Sequence, residues 1–170
     1  MFRIILFTML LLATLTVCLS QETTEGEKKT NVVIKADTEF SAKTSQAVNA
    51  GTAKPGDDFN LTLTADLKCQ EGTIINGSEV YGRILKAEKL SSKSKASKLT
   101  IIFDFIQHGE DFITLRAVVT EIENSPDPIK LRPSGNTQGG TDLSLAGKNL
   151  KIDKDAVVRL KVIKDTKSEG

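Results

Sequence analysis

Tryptophan is missing from this 170-residue chain, tyrosine and histidine occur once each, and cysteine occurs twice. Each scarcity closes a route to chemistry. A metal centre of His and Cys needs several such ligands, whereas this chain has only His108, Cys18 and Cys69. A serine hydrolase of the usual kind needs a positioned base, and no Gly-x-Ser-x-Gly elbow accompanies His108. His108 falls beside Glu110 and Asp111 at a predicted hairpin end and reads as an exposed turn residue. The carboxylates Asp57 with Asp58, Glu110 with Asp111, and Asp153 with Asp155 lack the spacing of a calcium loop. A Ser–Lys pair drawn from residues 91–98 would lack the fixed geometry that catalysis requires. No catalytic, cofactor-binding or metal-binding residue is assigned, and the chain is expected not to be an enzyme.

Strong charge of either sign is absent too. Arg3 is the one charged residue of the first twenty, and without it 22 basic residues face 22 acidic ones. That balance argues against a general nucleic-acid or anionic-membrane surface. Lys86, Lys89, Lys93, Lys95 and Lys98 form the densest basic cluster, with no aromatic residue among them to stack on bases. Lys93, Lys95 and Lys98 are the candidate contacts for a phosphate or lipid headgroup; the plainer reading is solubilising loop charge.

A long hydrophobic run is also wanting. Residues 4–19 carry no charge, but Thr8, Thr14 and Thr16 interrupt them, and a spanning helix takes roughly 20 apolar residues. Behind the basic start Met1-Phe2-Arg3 and ahead of the polar switch at Gln21, residues 1–20 read as a secretory signal. Cleavage after Ser20 would release a soluble protein. Cleavage before Cys18 would make a lipoprotein, although Val17 stands where that signal prefers a small residue. Acyl chains on Cys18, at about 0.8 kcal/mol per buried methylene, would then be the membrane attachment. Periplasm or cell envelope is the expected location. With Cys18 removed only Cys69 remains, so no intramolecular disulfide is available and the core must hold the domain.

What the chain has is alternation. Phe59, Leu61, Leu63, Ala65 and Leu67 alternate with Asn60, Thr62, Thr64 and Asp66, one apolar face and one wet face of a strand. Leu99, Ile101, Phe103 and Phe105 repeat the device, as do Ile113, Leu115, Ala117 and Val119, and residues 107–111 link the two as a hairpin. Further strands are predicted at 32–34, 38–44, 80–88, 150–152 and 157–163, with room for a helical turn in 41–50. In the last of these strands Val158, Leu160 and Val162 should face the core and Arg159 and Lys161 the water. Gly82 inside a strand marks a bulge or bend. The expected fold is all-β, a small barrel or sandwich of short, mostly antiparallel strands. Residues 21–30 read as a disordered polar lead, 31–164 as one domain with flexible loops at 91–98 and 129–147, and 165–170 as a tail. Val33-Ile34-Lys35-Ala36-Asp37-Thr38-Glu39-Phe40 weakly echoes Lys151-Ile152-Asp153-Lys154-Asp155-Ala156-Val157-Val158, an apolar residue before a polar corner and a new strand.

Three segments carry a family resemblance: Ile34-Lys35-Ala36-Asp37-Thr38, Lys54-Pro55-Gly56-Asp57-Asp58-Phe59 and Ile75-Asn76-Gly77-Ser78-Glu79-Val80-Tyr81-Gly82-Arg83. They resemble the punctuation of exported bacterial β-domains of acidobacterial envelope type. More distantly they are similar to the C-terminal barrel of scaffold proteins in conjugative type IV secretion channels. Lys35 and Asp37 depart from the Pro and Gly of that pattern. The resemblance implies a barrel-like envelope domain and carries over no catalytic residue. The leading expectation is an exported structural or protein-binding module whose partner is an unknown envelope protein. A carrier of small apolar ligands inside a barrel is the alternative, and a hydrolytic enzyme ranks last.

Overall fold

The computed structural model describes residues 32–135 and 139–167. The predicted signal, Cys18 and the polar lead lie outside them. Among the described residues the chain is all-β, with strands β1 (Val33–Ile34), β2 (Glu39–Thr44), β3 (Val48–Asn49), β4 (Leu61–Leu63), β5 (Leu67–Cys69), β6 (Gly72–Ile74), β7 (Glu79–Glu88) and β8 (Ala96–His108). The second half adds β9 (Asp111–Thr114), β10 (Ala117–Ile122), β11 (Lys130–Pro133), β12 (Thr141–Ala146), β13 (Lys151–Ile152), β14 (Val157–Val162) and β15 (Thr166–Lys167).

Nine of these make one antiparallel sheet, ordered β10-β14-β2-β4-β7-β8-β12-β11, with β9 also on β8. The sheet nearly closes into a barrel because one stretch of chain serves both ends. β9 pairs with the last part of β8, and β10, two residues further on, pairs with β14. The β11–β12 hairpin occupies the remaining gap. β12 lies along the start of β8, and its leading end is tied to β10 by Gly140 N–H on Ala117 O (3.2 Å) and by Val119 N–H on Thr141 Oγ1 (2.6 Å). The interior is filled by side chains such as Phe59, Leu61, Ile84, Ile101, Phe103, Ile113 and Leu160, with the Phe59 and Phe103 rings 6.2 Å apart.

The weak sequence echo is the visible part of a fourfold repeat. Residues 35–44, 54–63, 75–84 and 153–162 each form a four-residue corner followed by six residues of extended chain. In every corner the fourth N–H donates to the first carbonyl: Thr38 to Lys35, Asp57 to Lys54, Ser78 to Ile75, Ala156 to Asp153. The third residue has positive φ, as a type II turn requires: Asp37 (65°), Gly56 (93°), Gly77 (88°) and Asp155 (62°). The units then interlock in two pairs. Asp37 N–H donates to Val162 O, and Asp155 N–H to Thr44 O; Gly56 N–H donates to Ile84 O, and Gly77 N–H to Leu63 O. The return bonds are equally matched, from Val162 N–H to Thr38 O, Thr44 to Ala156, Ile84 to Asp57, and Leu63 to Ser78. Each pair therefore has a local twofold relation, and in the first it extends to the flanks. β1 pairs with β15 just as β13 pairs with β3. Burial follows the unit. Phe40, Phe59, Val80 and Val158 are buried at the sixth position, Ala42, Leu61, Gly82 and Leu160 at the eighth, and Thr44, Leu63, Ile84 and Val162 at the tenth.

Several sequence expectations are corrected. Within 129–147, residues 130–133 and 141–146 are strands rather than a flexible loop, and Leu143 and Leu145 point inward from β12 and pay for ordering it. Within 91–98 the turn is held by Ser91 and Ser94, whose hydroxyls lie 3.0 Å apart, and β8 already begins at Ala96. Residues 166–167 form a separate two-stranded sheet with β1 rather than part of a tail. The stretch from Phe59 to Leu67 is two strands, because Thr64 turns aside to bond Ser41 O with both its N–H and its hydroxyl. No helical turn forms in 41–50, where β2 and β3 lie instead.

Candidate functional site

The repeat supplies an internal control for what the barrel requires at each position. The seventh residue of a unit points outward between two buried neighbours. It is Ser41, Asn60 and Arg159 in three units, and Tyr81, the only tyrosine, in the third. The eighth residue points inward and is Ala42, Leu61 and Leu160, but Gly82 in the third unit. The third unit thus departs from the others on both faces of β7, side by side.

These two departures build a groove. A Cβ on Gly82 would lie 2.7 Å from Ile102 O and 2.8 Å from Phe59 O, so only glycine lets the neighbouring strands come this close. At the same place the β7–β8 register shifts between Tyr81 and Gly82, the bulge that the in-strand glycine predicted. Tyr81 then stands opposite Phe105 on β8. Beyond it Phe112 of β9 pairs with Gln107, which brings its ring within 5.7 Å of Tyr81 and 6.4 Å of Phe105. Both contacts are edge-to-face, at 64° and 74°. Phe105 and Phe112 remain 42% and 49% exposed although large apolar side chains in this fold are otherwise mostly inside.

The groove at these rings has a volume of about 530 Å³, and its walls are completed by Gly56, Asp58, Asn60, Arg83 and Asp104. Arg83 is held by Asp104 through two bonds, Nε to Oδ2 at 3.1 Å and Nη2 to Oδ1 at 3.3 Å. Glu79 beside Tyr81 raises the pKa of its hydroxyl, since a phenol next to a carboxylate gives up its proton less readily. Asp58 is exposed in the groove wall next to Arg83, to which its backbone is bridged.

The residues singled out in the sequence do not converge here. Cys18 is outside the described residues. Lys93 and Lys95 are exposed on the Ser91–Ser94 turn, and Lys98 lies 3.5 Å from Glu88, which also binds Lys86 at 2.6 Å. Lys86 and Lys98 are thereby tied to a carboxylate and drawn away from Lys93 and Lys95. His108 is half-buried at the end of β8, paired with Asp111. Cys69 is half-buried beside the turn of the β5–β6 hairpin, and burial pushes its thiol pKa up. Among the described residues no three His, Cys, Asp or Glu side chains are grouped to hold a metal ion. The aromatic groove was missed because its rings come from three strands; the one usable signal was Tyr81 beside Gly82.

No family model matches this chain, and no curated protein matches it. One solved structure to which it is similar is ComB10 of the Com type IV secretion system of Helicobacter pylori. The two are 12% identical, with 81% of this chain and 90% of that chain covered and a TM-score of 0.48.

Proposed function

We propose that this chain is an exported, non-catalytic β-domain that binds another protein of the cell envelope through the Tyr81–Phe105–Phe112 groove. The observation that carries the reading is the aromatic trio of half-buried Tyr81 and exposed Phe105 and Phe112, gathered beside the one unit that departs from the repeat. The other units show that the barrel forms with polar residues in the place of Tyr81: Ser41, Asn60 and Arg159. Exposed aromatic clusters cost solubility, and on a folded surface they mark recognition sites. A packed interior supports the choice of the outer wall, since the space a carried ligand would need is occupied by Phe59, Phe103 and their neighbours.

A photo-reactive phenylalanine analogue at position 81, introduced in the native host, tests this. The expected result is a covalent adduct with one envelope protein, absent when the analogue replaces Arg159, the same position of another unit. Equal adducts at both positions, or none at position 81, would refute the reading. An adduct consisting of two copies of this chain would refute the envelope partner.

A further inference from the structure

We infer that the groove receives an arginine or lysine side chain of the partner protein, an inference that rests on the protein-binding reading above. Sign of charge is the first reason. Asp58 and Asp104 line the groove with the rings, Glu79 lies beside Tyr81, and Asp57 adjoins Asp58. The one cation in the wall, Arg83, is already satisfied by Asp104. Asp58 makes no side-chain ion pair among the described residues, so a carboxylate faces the groove unneutralised. Beside Phe112 the hairpin end adds Glu110 and Asp111, of the same sign.

Ring geometry is the second reason. Rings meeting edge-to-face offer no flat platform for a planar stack, but they do present faces to a group lying between them. An aromatic face attracts a cation through its quadrupole, and a nearby carboxylate adds to the same attraction. An anionic partner residue would meet only Arg83, at the cost of separating it from Asp104.

Three synthetic peptides test the inference on the ¹⁵N-labelled protein: leucine alternating with arginine, with serine, and with glutamate. The arginine peptide should shift the amide resonances of Gly82, Phe105 and Phe112. It should bind about tenfold tighter than the serine peptide at low salt, the size of one partly desolvated cation–π contact. The glutamate peptide should not shift them. Asp58→Asn with Glu79→Gln should remove most of the arginine preference, read as the ratio of the arginine-peptide to the serine-peptide affinity of the same variant. Equal binding of the arginine and serine peptides, or shifts confined to other surfaces, would overturn the inference. So would silence from all three peptides. If position 81 still cross-links an envelope protein in any of those cases, the protein-binding reading survives and only the cationic anchor falls. Failure of cross-linking together with silence from the peptides removes both.

Discussion

Gly82→Ala is the perturbation that most directly probes how the barrel and the groove depend on each other. The added methyl would sit 2.7 Å from Ile102 O, 2.8 Å from Phe59 O and 2.9 Å from Phe103 Cδ1. Two of these atoms are backbone, one on each side of β7, so relief requires neighbouring strands to move apart. Overpacking of a filled interior costs about 1–3 kcal/mol, and a clash with backbone on two sides belongs at the upper end. A loss of about 3 kcal/mol from a total of about 5–15 leaves the protein folded but lowers Tm by about 10 °C. Ala42→Gly, the reverse change at the same position of another unit, should cost only about 1 kcal/mol, from chain flexibility and one lost methyl. Urea titration of both variants measures the contrast. If Gly82→Ala stays within about 0.5 kcal/mol of the parent, an ordinary surface value, then the close approach of the strands is not built on glycine. Widening at Gly82 would also loosen the contact of Tyr81 with Phe112, so the same variant should weaken peptide binding at the groove.

Truncation after Lys148 removes β14, whose Val158, Leu160 and Val162 are fully buried and which pairs with both β2 and β10. At about 1.5–3 kcal/mol for each side chain the loss rivals the whole stability, so a cooperative melt by circular dichroism should disappear; a retained Tm would place the strand outside the core. The corners make an opposite-sign pair. Asp155→Gly relieves a left-handed L-residue costing about 1–2 kcal/mol and gives back about 0.5–1 in unfolded-chain entropy, a net gain of about 0.5 kcal/mol. Gly77→Asp meets no atom within 4 Å, so the backbone alone should make it destabilising, and equal signs in denaturant titration would contradict the shared corner geometry.

What the sequence determined by itself is local in origin. Period-two alternation placed Val158, Leu160 and Val162 inside and Arg159 outside, and the structure agrees, because a strand's faces follow from its pleat alone. Lys161 points outward as expected and finds Asp37 at 2.8 Å. Gly82 announced a bulge, and the short link after His108 a hairpin, since both depend on a few adjacent residues. The tertiary structure decided what depends on distant partners. Residues 141–146 are polar enough to read as loop, yet β8 lies beside them and turns their two leucines inward. No position of the fourfold repeat holds the same residue in all four units; its common feature is a set of backbone bonds to a partner unit elsewhere in the chain, and backbone bonds leave little mark on sequence. The groove is the extreme case. Tyr81, Phe105 and Phe112 become neighbours only once β7, β8 and β9 are in register, so their exposure and mutual contact exist only in the folded barrel.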